Sequence, residues 1–238
     1  MILIIGGSGV LGNEIISHLL TTDDVLILCN NRHEEVLKKF SRNIHVKEIF
    51  KLNLENSKDF KYFLDFTLKK HLKNITGVVL NYAKTLNDDK NSLEEINKLF
   101  HLNYSVTAII YNFFLLHLKQ LKKHKDFRIV NILSNSIRTL NASSQHYIAS
   151  KSAVESLSKF YAKNYGKYLI VNNVAPGLMF SNMTKARFKN VAKDISKKTP
   201  IGRLINPSEV AEVVRYLIKD SPAALTGQTI FVDGGRSI

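Results

Sequence analysis

Cysteine is nearly absent: Cys29 is the only one in 238 residues. That excludes an intramolecular disulfide and any cysteine-clustered zinc or iron–sulfur site. None of the eight histidines stands in H-E-x-x-H or a comparable ligand spacing, so no catalytic metal is expected. No apolar run reaches the ~18 residues that span a bilayer, so neither a transmembrane helix nor a membrane partner is expected. Four prolines and eleven glycines leave no Pro/Gly-rich linker, and there is no internal repeat or low-complexity segment. Residues 1–7 lack a basic leader and run straight into glycines. They read as a first strand and not as a signal peptide, which with the single cysteine points to a reducing cytoplasm.

Acidic residues are in deficit, 20 Asp+Glu against 34 Lys+Arg, giving a net charge of +14 and a pI near 9.7. The basic residues are spread in small groups such as Lys122-Lys123-His124-Lys125 and Lys197-Lys198. There is no arginine-rich arm and no nucleic-acid motif, so nucleic acid is not expected as a partner. An acidic protein or a phosphorylated substrate stays compatible with the charge. Hydrophobic residues make up 45% and charged residues 23%, an ordinary globular balance. The length suits one well-buried domain over 1–238.

Short apolar runs alternate with amphipathic stretches. Strands are expected at 1–5, 25–29, 44–50, 77–80, 128–133, 169–174 and 229–232. Helices are expected among other places at 11–20, 57–70, 105–123, 149–166 and 207–218. This alternation predicts an α/β fold, a parallel sheet of about seven strands with helices on both faces. The polar, basic stretch 179–199 has no clear strand and reads as a flap beside a substrate site.

The first strand ends in Gly6-Gly7-Ser8-Gly9-Val10-Leu11-Gly12, which contains G-x-G-x-x-G and opens an amphipathic helix. Glycines permit a tight turn and close approach of backbone to a pyrophosphate, and the helix N-terminus adds free N–H groups. The expected fold is therefore the doubly wound Rossmann type. After the second strand come Asn30-Asn31-Arg32-His33, with no acid before Glu34. A carboxylate there would repel a ribose 2′-phosphate and a guanidinium attracts it, so NADP(H) is favoured over NAD(H), with Asn31 and Arg32 as contacts.

Tyr147 and Lys151 stand four residues apart, on one face of a helix. Ser134 lies 13 residues before Tyr147, just past an expected strand end, where ligands bind in open parallel sheets. With these residues the chain resembles the short-chain dehydrogenase/reductase family, in its compact branch, over nearly its whole length. Gly6–Gly12 is similar to the cofactor loop, and Asn81-Tyr82-Ala83 to the Asn-Asn-Ala-Gly segment. Asn103, Ser134, Tyr147 and Lys151 match the catalytic tetrad. Asn173-Val174-Ala175-Pro176-Gly177 matches the Pro-Gly after the sixth strand. Ile201-Gly202-Arg203-Leu204, Glu209-Val210-Ala211 and 226–235 match the C-terminal signature. The chain departs from the pattern at Ile5, Tyr82, Lys84 and Asn53, where Thr, Asn, Gly and Asp are usual.

The resemblance implies reversible hydride transfer between a nicotinamide and a carbonyl or secondary alcohol. Tyr147 would protonate the developing oxyanion, its pKa lowered by the Lys151 ammonium and the oxidised nicotinamide, and Ser134 would hold the same oxygen. Lys151 would also hold the nicotinamide ribose, and Asn103 would anchor a water leading protons to solvent. Asn53 and Leu54 would sit by the adenine, Pro176 and Gly177 by the nicotinamide, and Ser181 by its carboxamide. The substrate implied is a 3-oxoacyl thioester on an acidic acyl carrier protein, with Lys125 and Lys167 as docking candidates. The alternatives are a ketone, sugar or polyol dehydrogenase and a non-catalytic NADP(H)-binding regulator. The resemblance also implies that the long helices 105–123 and 149–166 pair with those of another copy, giving a homotetramer, or failing that a dimer.

Overall fold

Runs of Val, Ile and Leu build the sheet. Seven strands, β1 Ile2–Ile5, β2 Val25–Cys29, β3 Val46–Lys51, β4 Gly77–Leu80, β5 Phe127–Ile132, β6 Leu169–Pro176 and β7 Thr229–Val232, pair in parallel in the order β3-β2-β1-β4-β5-β6-β7. The structure is a computed structural model describing residues 1–86, 92–121, 126–142, 144–179 and 198–238. The expected flap lies almost wholly outside the described residues, as do Ser181 and Lys125. Every residue of β1 and β2 is buried, as strands covered on both faces must be, while the edge strand β3 has only half-buried and exposed positions.

Among the described residues the α-helices are α1 Val10–Leu19, α2 His33–Phe40, α3 Ser57–Tyr62, α4 Leu93–Phe100, α5 Val106–Gln120, α6 Ser136–Thr139, α7 Gln145–Tyr165 and α8 Pro207–Arg215. Strand side chains alternate between faces. Leu3 and Ile5 join Phe60, Tyr111, Phe114 and Ala162 under α3, α5 and α7. Ile2 and Ile4 join Ile15, Ile16, Val36, Val210 and Val214 under α1, α2 and α8. Each fully buried Leu, Ile or Phe contributes about 1.5–3 kcal/mol, so both layers are held mainly by apolar burial. The fold is the doubly wound one expected.

Several helices differ from expectation, two of them most. The stretch 57–70 is α3 followed by a π-helical turn, Phe63–Thr67, and a 3₁₀ turn, Leu68–Lys70. A second π-helical turn, His101–Ser105, joins α4 to α5, so Leu93–Gln120 forms one 28-residue helix. By length and composition that helix is apolar enough to cross a membrane, a test that the core helix of a soluble protein passes as well. Leu99, Val106, Ile110, Phe114 and Leu118 are buried on it, and all but Leu99 belong to the core beneath the sheet, as in a core helix.

The order in which successive strands are added reverses between β1 and β4, where the crevice of an open α/β sheet forms. The segments leaving the carboxyl ends of six strands, β1 to β6, meet there.

Candidate active site

The glycine turn leaves β1 with Gly6 at φ +94°, a left-handed conformation that L side chains rarely adopt. A Cβ on Gly6 would fall 2.1 Å from the Asn81 carbonyl oxygen, and one on Gly12 would fall 2.4 Å from the Gly6 oxygen. Asn81 Nδ2 donates to the Gly6 oxygen at 2.9 Å, tying the end of β4 to the turn. Gly7 packs away from the crevice, on Ile27 and Ile16. A Cβ on Gly9 would meet no protein atom within 4 Å. Gly9 is also the N-cap of α1 and offers no side-chain cap, so the first N–H groups of that helix face the crevice with the helix's partial positive charge.

From this turn a groove of about 650 Å³ runs across the strand ends. Ser8, Val10 and Leu11 line it beside Gly6 and Gly9. Asn31 and the exposed Arg32 form one rim, with Arg32 at φ +56° before α2. Asn53 and Leu54 line the floor after β3, where Asn53 Oδ1 accepts from the Glu55 N–H at 3.0 Å. Tyr82 and Ala83 follow β4. The Tyr82 ring packs into the core and its hydroxyl pairs with Thr107 Oγ1 at 2.8 Å. Lys84, standing where glycine is usual, keeps a negative φ. Its ammonium pairs with Glu55 at 2.6 Å, a half-exposed bridge worth about 0–1 kcal/mol.

The far end of the groove holds Ser134, Tyr147 and Lys151, with Pro176 and Gly177 beside them. Ser134 follows β5. The Asn135 N–H donates to the Pro176 oxygen at 2.9 Å, and the Gly177 N–H to the Val232 oxygen at 2.9 Å. Helix α7 begins at a Ser144 cap, earlier than the sequence suggested, which places Tyr147 in its first turn. Lys151, 4% exposed, donates from Nζ to the Ile132 oxygen at 2.8 Å and the Tyr82 oxygen at 3.4 Å. Burial lowers its ammonium to about 8.

Burial pushes the Tyr147 phenol up to about 12, against a hydrogen bond from Ser134 that pulls it down. Desolvation disfavours the phenolate more than its surroundings stabilise it. Asn103 does not line the groove. It sits in the π-helical turn, buried, with Oδ1 accepting from the Lys84 N–H at 2.8 Å and Nδ2 donating to the Lys84 oxygen and to Ser150 Oγ, both at 2.9 Å. Its amide clamps the segment after β4 onto α7. Sequence reasoning missed Ser150 and Ser136. Ser136 Oγ donates to Ser134 Oγ at 2.8 Å, and its only signal in the sequence is a serine two places on.

A family model described as Enoyl-(Acyl carrier protein) reductase matches residues 11–237. A 3-oxoacyl-[acyl-carrier-protein] reductase of Chlamydia trachomatis is 32% identical over 170 residues, 69% of this chain and 66% of that protein. Nodulation protein G of Rhizobium meliloti (strain 1021) is 27% identical over 99% of this chain and 96% of its own length. Several curated matches span only about half to two thirds of the relatives' own length, from 48% to 66%. Among solved structures, one titled Pseudomonas aeruginosa RhlG/NADP active-site complex superposes with a TM-score of 0.88 at 23% identity, over 100% of this chain and 96% of that one.

Proposed function

The chain belongs to the short-chain dehydrogenase/reductase family, and from that premise we propose that it reduces a carbonyl to a secondary alcohol with NADP(H), acting on a 3-oxoacyl thioester borne by an acyl carrier protein. The observation that carries this reading is one groove with a bare glycine turn at one end and the Ser134, Tyr147 and Lys151 side chains at the other. The groove suits a dinucleotide. The space a Gly9 side chain would fill is free of protein, and the uncapped start of α1 suits a pyrophosphate. Asn31 and Arg32 on the rim, with no acid before Glu34, favour a 2′-phosphate.

When bound, NADPH supplies a hydride to the carbonyl carbon. Tyr147 gives its phenolic proton to the oxygen on which charge develops, completing the alcohol. Burial keeps the phenol protonated before hydride transfer, so its proton is there to give. Ser134 donates a hydrogen bond to the same oxygen. The Lys151 ammonium, one helical turn from Tyr147, stabilises the phenolate left behind. Asn103 positions the Lys84 backbone along the groove wall.

An acidic carrier suits a chain of net charge +14, and Lys167, just before β6, is a candidate docking contact. Ile109 and Leu116 on α5 and Phe160 on α7, each about half exposed, support pairing of two copies in a homotetramer or dimer, which light scattering tests. The substrate is tested with acetoacetyl–acyl carrier protein and acetoacetyl-coenzyme A, each with NADPH and NADH. The reading expects NADPH to be preferred and the carrier-bound rate to fall steeply with salt. Reduction of neither removes the substrate class, and reduction of a crotonyl thioester in their place reassigns the chain to enoyl reduction.

A further inference from the structure

We infer that Ser136 is a positioning residue that sets the direction of the Ser134 hydroxyl. This rests on the carbonyl-reduction reading above and adds a residue outside the tetrad. The chain turns sharply between β5 and the one-turn helix α6. That turn brings two donors from one residue onto Ser134 Oγ: the Ser136 N–H at 3.2 Å and the Ser136 hydroxyl at 2.8 Å. Ser136 is 2% exposed, whereas Ser134 lies open to the groove.

A hydroxyl carries two acceptor lone pairs and one proton. Ser136 occupies both acceptor positions of Ser134. The Ser134 proton is then directed into the groove, toward Tyr147 and the substrate oxygen. Without the Ser136 hydroxyl, Ser134 has a vacant lone pair and can accept the proton of Tyr147. In that state it competes with the substrate for the proton the reaction needs. The backbone of the turn has supports of its own, which separates orientation from folding. Asn135 Nδ2 donates to Asp233 Oδ2 at 3.2 Å, and the Leu140 N–H donates to the Ser136 oxygen at 2.9 Å.

The test compares wild type with Ser136→Ala, Ser136→Thr and Tyr147→Phe, using acetoacetyl-coenzyme A and NADPH over a pH series, with a crystal structure of Ser136→Ala. Ser136→Ala should lower kcat about tenfold, the scale of one hydrogen bond, with KM little changed and the pH profile displaced. Ser136→Thr should restore most of the rate. The crystal structure should show Ser134 Oγ in more than one rotamer on an unchanged backbone. A wild-type rate and profile in Ser136→Ala, or no rescue by threonine, overturns the inference. So does a single unmoved Ser134 rotamer, which decides the matter even if the probe is not turned over. Full reduction by Tyr147→Phe defeats the acid assignment instead, a separate outcome.

Discussion

The two ends of the groove are made by opposite means. At the glycine turn the working parts are missing atoms: Gly6 and Gly12 leave room for backbone, and Gly9 leaves room for nothing in the protein. At the other end the working parts are side chains. One of them, Lys151, is buried at a cost visible in its lowered pKa. Fold and ligand needs therefore separate residue by residue at the first end. At the second end, reactive groups are held by partners that have no reactive role: the Ile132 and Tyr82 oxygens take Lys151 Nζ, and the Ser136 hydroxyl donates to Ser134.

The sharpest break in this comparison is Tyr147→Phe. It should lower carbonyl reduction about a thousandfold while NADPH affinity, read by fluorescence titration, stays near wild type. Near-full turnover would move the acid elsewhere. Next come two glycines a few residues apart. Gly6→Ala meets Asn81 backbone at φ +94° and should cost about 2–4 kcal/mol in denaturant unfolding. Gly9→Ala should change stability by no more than about 1 kcal/mol yet weaken NADPH binding about tenfold or more. Equal behaviour of the two variants would erase the distinction between the ends.

The smallest expected effect is a pH dependence of stability. Lys151 has a folded pKa of about 8, below its ordinary 10.5, so the unfolded chain holds the extra proton between those values. Stability relative to Lys151→Met should therefore rise from pH 8 toward 10.5. A flat or falling difference would mean the ammonium is not desolvated.

The strands were legible because apolar runs and their separation are local properties. Val25–Cys29, Gly77–Leu80 and Thr229–Val232 stand where the residues suggested. The helices α2 and α4 were expected only as unplaced stretches between strands. Each buries little, only Val36 and Phe40 in α2 and only Leu99 in α4, so the apolar signal is thin. The π-helical turn at Asn103 has no pattern of its own, since it depends on how α4 and α5 meet the sheet. At the site, residue identities were legible through motif and spacing, but partners were not. Asn103 faces the Lys84 backbone, Tyr82 sends its hydroxyl to Thr107, and Ser136 reaches back to Ser134. The burial that raises the Tyr147 phenol was not legible either, because burial is a tertiary property.

The most direct measurement is a crystal structure with NADP⁺ bound. The pyrophosphate should lie against Gly9 and the first N–H groups of α1, with the nicotinamide end beside Tyr147 and Lys151. A dinucleotide bound elsewhere, or one whose nicotinamide points away from Tyr147, would contradict the account.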